Sequence, residues 1–158
     1  MKRIIIIIVF FCFSQICGCS SGGLEGLYQV NGQVLLDEKP IENVNVYFSP
    51  VKKTAKSRSA VGLTDSKGNF KLTTLKTNDG IYPGTYRIYL SKSELAAETL
   101  TLSEEERKKK YTDKNGIYSP PHIQVIPKKY INPDTSGFNY AVKAGKNKII
   151  ILRMKSEK

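Results

Sequence analysis

Tyr28-Gln29-Val30-Asn31-Gly32-Gln33-Val34-Leu35-Leu36 and, one turn later, Asn43-Val44-Asn45-Val46-Tyr47-Phe48 are the stretches that decide the fold. In the first, Tyr28, Val30, Val34 and Leu36 alternate with polar Gln29, Asn31 and Gln33. In the second, Val44, Val46 and Phe48 alternate with Asn43, Asn45 and Tyr47. A period of two places every apolar side chain on one side of an extended chain, so each stretch predicts a strand with one buried face. Between them, Asp37-Glu38-Lys39-Pro40 predicts a turn, with Pro40 ending any pairing.

The same punctuation continues outward. Ser49-Pro50 closes the second strand, and the basic, small-residue stretch from Lys52 to Ser59 reads as an exposed loop. Val61 to Thr64 and Phe70 to Thr74 flank Asp65-Ser66-Lys67-Gly68-Asn69, a hairpin turn in which Gly68 supplies positive φ. Tyr86, Ile88 and Leu90 form the inward face of a strand entered through Tyr82-Pro83-Gly84. Ser93 to Tyr111 then carries helix formers. Ser103 and Glu106 make a capping box, and Glu104, Glu105 and Glu106 stand four residues before Lys108, Lys109 and Lys110. With almost no apolar stripe, this segment predicts a solvated helix inserted between strands. Strand signals return at Ile123 to Ile126, Phe138 to Val142 and Lys148 to Met154. The continuous run Ile149-Ile150-Ile151-Leu152 predicts a central strand covered on both faces. About seven or eight short strands separated by turns predict an all-β, two-sheet sandwich.

Ahead of this domain stand Lys2 and Arg3, an apolar stretch from Ile4 to Phe13, Ser14-Gln15, and then Ile16-Cys17-Gly18-Cys19. Basic, apolar, small and cysteine, in that order, describe a secretory leader. The pattern resembles bacterial lipoprotein signals, which implies diacylglycerol on the Cys19 thiol, cleavage before it and an acylated amino group. Cys17 is the weaker candidate because bulky Ile16 would precede the cut. The apolar stretch rises only about 15 Å as a helix, half of a hydrocarbon layer, so it predicts a signal peptide and not a membrane span. The expected organisation is therefore a lipoprotein signal peptide at residues 1–18, the lipidated cysteine and a flexible tether at 19–27, and the β domain at 28–158. Ser20 to Leu27 reaches at most about 28 Å, which keeps the domain close to the membrane.

All three cysteines fall within residues 1–19, so the mature domain has neither a disulfide nor a thiolate for catalysis. The 25 basic residues, less Lys2 and Arg3, against 14 acidic ones leave a net charge of about +9. An excess of that size favours anionic surfaces. Outside the cytoplasm those surfaces are anionic lipid, acidic polysaccharide or acidic protein, and not nucleic acid.

Asn31-Gly32-Gln33-Val34, Asp37-Glu38-Lys39-Pro40-Ile41 and Val44-Asn45-Val46-Tyr47-Phe48 together resemble the opening of carboxypeptidase regulatory-like domains. Thr64-Asp65-Ser66-Lys67-Gly68-Asn69-Phe70 resembles their central hairpin, and Pro83-Gly84-Thr85-Tyr86-Arg87-Ile88 the strand that follows. The tail, with Ile126-Pro127-Lys128-Lys129-Tyr130 and Asn132-Pro133-Asp134-Thr135-Ser136-Gly137-Phe138, is similar to that of small planctomycete-type lipoproteins. The similarity covers roughly residues 26–154. It implies a transthyretin-like (prealbumin-like) β-sandwich with the charged helix inserted, and it implies no reaction and no cofactor. Glu38 departs from the family, which usually has glycine in this turn; a turn without positive φ is expected there.

The chemistry-bearing residues are few. His122 is the single histidine, which excludes sites needing two or more, including His-x-x-Glu zinc centres, and it reads as a loop residue. No Gly-x-Ser-x-Gly elbow supports a Ser/His/Asp triad. The Asp65 turn lacks the alternating acids of a calcium loop, so Asp65 is expected to accept backbone N–H bonds. Tyr111, Tyr118, Tyr130 and Tyr140 fall near lysines, and Lys128, Lys129 and Tyr130 make the candidate binding patch, a basic aromatic face suited to acidic glycan. The expected function is a non-enzymatic, lipid-anchored interaction or assembly module of the cell envelope, partnered by the membrane and an envelope protein. Recognition of acidic polysaccharide or a small ligand is the alternative. Ser20 after the cysteine, where aspartate would signal inner-membrane retention, favours the outer membrane.

Overall fold

A computed structural model of the chain describes residues 25–156; the leader, Cys19 and the tether through residue 24 lie outside the described residues. The fold is mostly β, with two four-stranded sheets around one core. In the first sheet, β1 (Asn31–Leu36) is central. It pairs in parallel with β10 (Ile150–Met154) on one side and antiparallel with β2 (Lys39–Pro40) and β5 (Asn69–Lys71). The second sheet runs β4 (Ala60–Leu63), β3 (Asn45–Pro50), β6 (Gly84–Ser91) and β9 (Phe138–Val142), all antiparallel. A separate two-stranded ribbon joins β7 (Ser93–Leu95) to β8 (His122–Gln124).

The alternating stretches behave as their period requires. Val46 and Phe48 of β3, Tyr86, Ile88 and Leu90 of β6, and Val34 of β1 are all buried. Phe48 sits among Phe70, Tyr86 and Tyr140, with ring centroids 6.5, 6.1 and 6.4 Å away, so it joins strands from both sheets. On the opposite, wetter face of the second sheet, Tyr47 and Tyr89 face each other in register and stack at 4.8 Å. Among the described residues, every buried apolar core residue lies between Val30 and Met154.

Four expectations are corrected. The aliphatic run at Ile149–Leu152 does not form a central strand: β10 pairs only with β1, Ile150 and Leu152 face the core, and Ile149 and Ile151 are 73% and 50% exposed. Pro40 does not end pairing but lies opposite Leu35, in an edge strand whose position asks no N–H of it. Glu38 does adopt positive φ, at 63°, as does Asp37 at 48°. A two-residue link between antiparallel strands needs left-handed geometry whatever its residues. Here the C-terminal strand steadies it, through Asp37 N–H to Met154 O (3.0 Å), Ser156 N–H to the Asp37 carboxylate (3.1 Å) and an Arg153–Glu38 ion pair. Finally, the Asp65–Asn69 turn closes as expected, with Gly68 at φ 73°, but its two arms part company. β4 stays in the second sheet and β5 crosses to β1; Val61 and Thr73 form the one bridge between the arms.

The helix-forming segment is shorter than its composition predicts. Ser93–Leu95 is strand, Ala97–Leu100 (α1) is a single turn, and Glu104–Tyr111 (α2) is the charged helix. Its capping box is present, with Glu106 N–H donating to the Ser103 hydroxyl and Ser103 N–H to the Glu106 carboxylate. Glu106 is thereby held at the cap. Among the described residues, the Glu104–Lys108 pair at 2.6 Å is the helix's only closed ion pair. No residue of α2 is buried.

Phe48→Ala in residues 20–158 should lower unfolding free energy by about 3–5 kcal/mol in urea titrations, since it removes the ring that links both sheets. Leu63→Ala on an exposed position of β4 should stay within about 0.5 kcal/mol of the parent.

Candidate functional site

Lys128, Lys129 and Tyr130 do come together, on a 3-10 turn spanning Lys128–Ile131. Tyr130 N–H donates to Pro127 O at 2.9 Å, which turns the ring inward. Tyr130 is buried, stacks on Phe138 with centroids 5.4 Å apart, and takes a 3.2 Å hydrogen bond on its hydroxyl from Lys155 N–H. The two lysines are exposed, with Lys129 Nζ 5.5 Å from the ring centroid. The aromatic half of the patch thus belongs to the core, and two surface cations remain. The following Thr-Ser-Gly stretch is structural. Buried Ser136 donates to Ile88 O at 2.5 Å and accepts from Phe138 N–H, pinning this segment to β6.

His122 is exposed at the start of β8, not in a loop, with Nδ1 2.9 Å from Pro120 O. Asp65 accepts N–H bonds from Lys67 and Asn69 at 2.9 and 2.8 Å, and these hold its carboxyl below the ordinary range, the Asn69 bond first. Tyr111 and Tyr140 are half-buried and Tyr118 is exposed. Tyr118 and Tyr111 lie side by side, through the Thr112–Tyr118 bridge and a 2.8 Å bond from Ser119 N–H to Tyr111 O, and Tyr140 lies apart on β9.

A second region emerges only from the fold. Parallel pairing of β1 with β10 puts the N-terminal ends of both strands together, so the tether entering β1 runs beside the loop entering β10. Tyr28 bridges Ile81, with N–H···O bonds of 2.9 and 3.0 Å in both directions. Gly80 makes that approach possible: it sits at φ 92°, and a Cβ there would lie 2.3 Å from Tyr28 O. Asn147 ties loop 143–149 to itself and to the tether, accepting from Lys143 N–H at 2.9 Å and donating to Gln29 O at 3.5 Å. Loop 51–59 joins the same end, because Val51 N–H bonds Thr85 O at the start of β6. Within that loop the Ser57 hydroxyl donates to Lys52 O and accepts from Thr54 N–H, both at 2.9 Å.

The two loops carry Lys52, Lys53, Lys56 and Arg58, and Lys143, Lys146 and Lys148, with no acid in either. All seven cations are exposed, and among the described residues none has an ion-pair partner. The neighbouring acid, Asp79, is occupied. Its oxygens accept N–H bonds from Thr74, Leu75 and Lys76 at 2.6, 2.9 and 2.8 Å. Burial opposes its ionisation, but these bonds outweigh it and hold the carboxyl below its usual range. Exposed apolar side chains stand among the cations: Val51, Leu75 and Ile149. Composition alone marked loop 52–59 as basic; nothing in the sequence placed loop 143–149 and the tether next to it.

Two open grooves flank this end. One of about 410 Å³ lies between loop 51–57 and Pro83–Tyr86, and another of about 580 Å³ lies between Asn31, Phe70 and Ile149. Among the described residues no three His, Cys, Asp or Glu side chains converge as a metal set would, and no helix is long and apolar enough to cross a membrane. No family model matches the chain, and no curated protein or solved structure matches it.

Asp79→Ala leaves three backbone N–H groups without their acceptor and should cost about 1–3 kcal/mol of stability at neutral pH. Because the folded carboxyl is more acidic than the unfolded one, its contribution is full above about pH 4 and fades as pH falls through the folded value. Melting temperatures of parent and Asp79→Ala should therefore converge on acidification.

Proposed function

We propose that this chain is a lipid-anchored cell-envelope protein whose β domain is a transthyretin-like, carboxypeptidase regulatory-like module serving interaction or assembly and not catalysis. The observation that carries the reading is the run Ile16-Cys17-Gly18-Cys19, placed a few residues ahead of a domain whose described core runs from Val30 to Met154. A leader ending in such a run marks export and acylation. Two sheets closed on one core, opening with the strand–turn–strand of residues 31–48, support the transthyretin-like reading. Attachment through two or three acyl chains gives lasting residence at a membrane, where one chain would not. Ser20 favours the outer membrane. At the end remote from the tether the domain offers the β7–β8 ribbon and the solvated helix α2 to an envelope partner.

Cys19→Ser should abolish labelling by a palmitate analogue and shift the protein from the membrane fraction to the soluble one. Labelling that persists in Cys19→Ser overturns the anchor.

A further inference from the structure

We propose that the end of the domain from which the tether emerges is itself a membrane-docking surface, which binds the headgroups of anionic phospholipid. The observation behind it is the coincidence, at one end of the fold, of the tether, with its single exposed acid Glu25, seven exposed cations without ion-pair partners among the described residues, and three exposed aliphatic side chains. Four cations elsewhere among the described residues are matched with an acid: Arg87 with Asp134, Lys92 with Glu94, Lys108 with Glu104 and Arg153 with Glu38. Like charges gathered without counter-charges repel one another, and the arrangement is relieved by an external anion.

The occupant follows from where the chain leads. Only five residues separate Cys19 from Glu25, a reach of at most about 20 Å, so an acylated Cys19 holds this end against the bilayer surface. Attraction between a cation and an anionic surface acts within a Debye length of about 8–10 Å, a distance the tether permits and a longer linker would not enforce. Val51 and Ile149, 44% and 73% exposed, stand within the two basic loops and would enter the headgroup boundary as those loops settle. The orientation rests on the lipid-anchored reading above; the affinity of the loops for anionic lipid does not. Docked this way, the domain stands with its basic end down and α2 and the ribbon outward.

The test uses residues 20–158, the chain beyond Cys19, which hold every core residue described above and have no cysteine to acylate. They are sedimented with sucrose-loaded vesicles of phosphatidylglycerol mixed with phosphatidylcholine, or of phosphatidylcholine alone. Binding should require phosphatidylglycerol and should disappear in high salt. Lys146→Gln with Lys148→Gln should weaken it about 25-fold, about fivefold per cation. The control Lys128→Gln with Lys129→Gln, the same change of charge on the 3-10 turn, should stay within twofold. If the first double variant melts early, Lys52→Gln with Lys53→Gln on the other loop makes the same demand. Absence of binding to phosphatidylglycerol vesicles overturns the proposal, as does equal weakening by the control pair. So does binding of an acidic polysaccharide through Lys146 and Lys148 with no vesicle binding. Acylation plays no part in these measurements, so they stand or fall separately from the labelling of Cys19.

Discussion

Parallel pairing between the first long strand and the last is the constraint on which the rest of this fold depends. Gly32 through Leu36 match Ile150 through Met154 residue for residue, across more than a hundred intervening positions. Parallel neighbours cannot be joined by a tight turn, so β2, β5, the whole second sheet, the ribbon and the helix all lie in the chain between them. Contacts of such sequence separation carry a large loop-closure cost, and a chain that relies on them folds slowly compared with one built from local hairpins. The Asp37-Glu38 turn shows how the last strand repays the first. Its left-handed backbone is held by Met154, Ser156 and Arg153, all supplied by the C-terminal strand and its exit.

What could be read from the sequence, and what could not, divides along the same line. Alternation in residues 44–48 and 86–90 identified the buried faces, because period two is a local property of a strand. The capping box at Ser103 and Glu106 and the N–H acceptor role of Asp65 were equally local. The errors concern which strand lies beside which. Ile149–Leu152 has the composition of a covered strand, yet its neighbours are set by topology, and topology leaves it at an edge. Tyr130 was grouped with Lys128 and Lys129 by adjacency, but on a 3-10 turn adjacent side chains diverge, and the ring alone finds the core.

The exposed edge of β10 shows how such a strand remains tolerable. Ile151 is half exposed, but Lys148 precedes it and Arg153 and Lys155 follow it. Cations spaced along a free edge oppose pairing with a second copy of the same edge, since like charges would be brought face to face. An aliphatic-rich strand can therefore stay at the rim of the sheet without recruiting another.

Net charge is a weak clue when it is spread evenly and a stronger one when the fold sorts it. The same parallel pair that closes the core does the sorting here. It carries the lysines of loop 143–149 to the side of the tether, while the return of β6 brings loop 51–59 to meet them. An antiparallel pairing of the same two strands would have sent those three lysines to the opposite end, away from the segment that enters β1. The direction of one strand thus determines whether the two basic loops gather at the end where the chain enters the domain or at opposite ends of it.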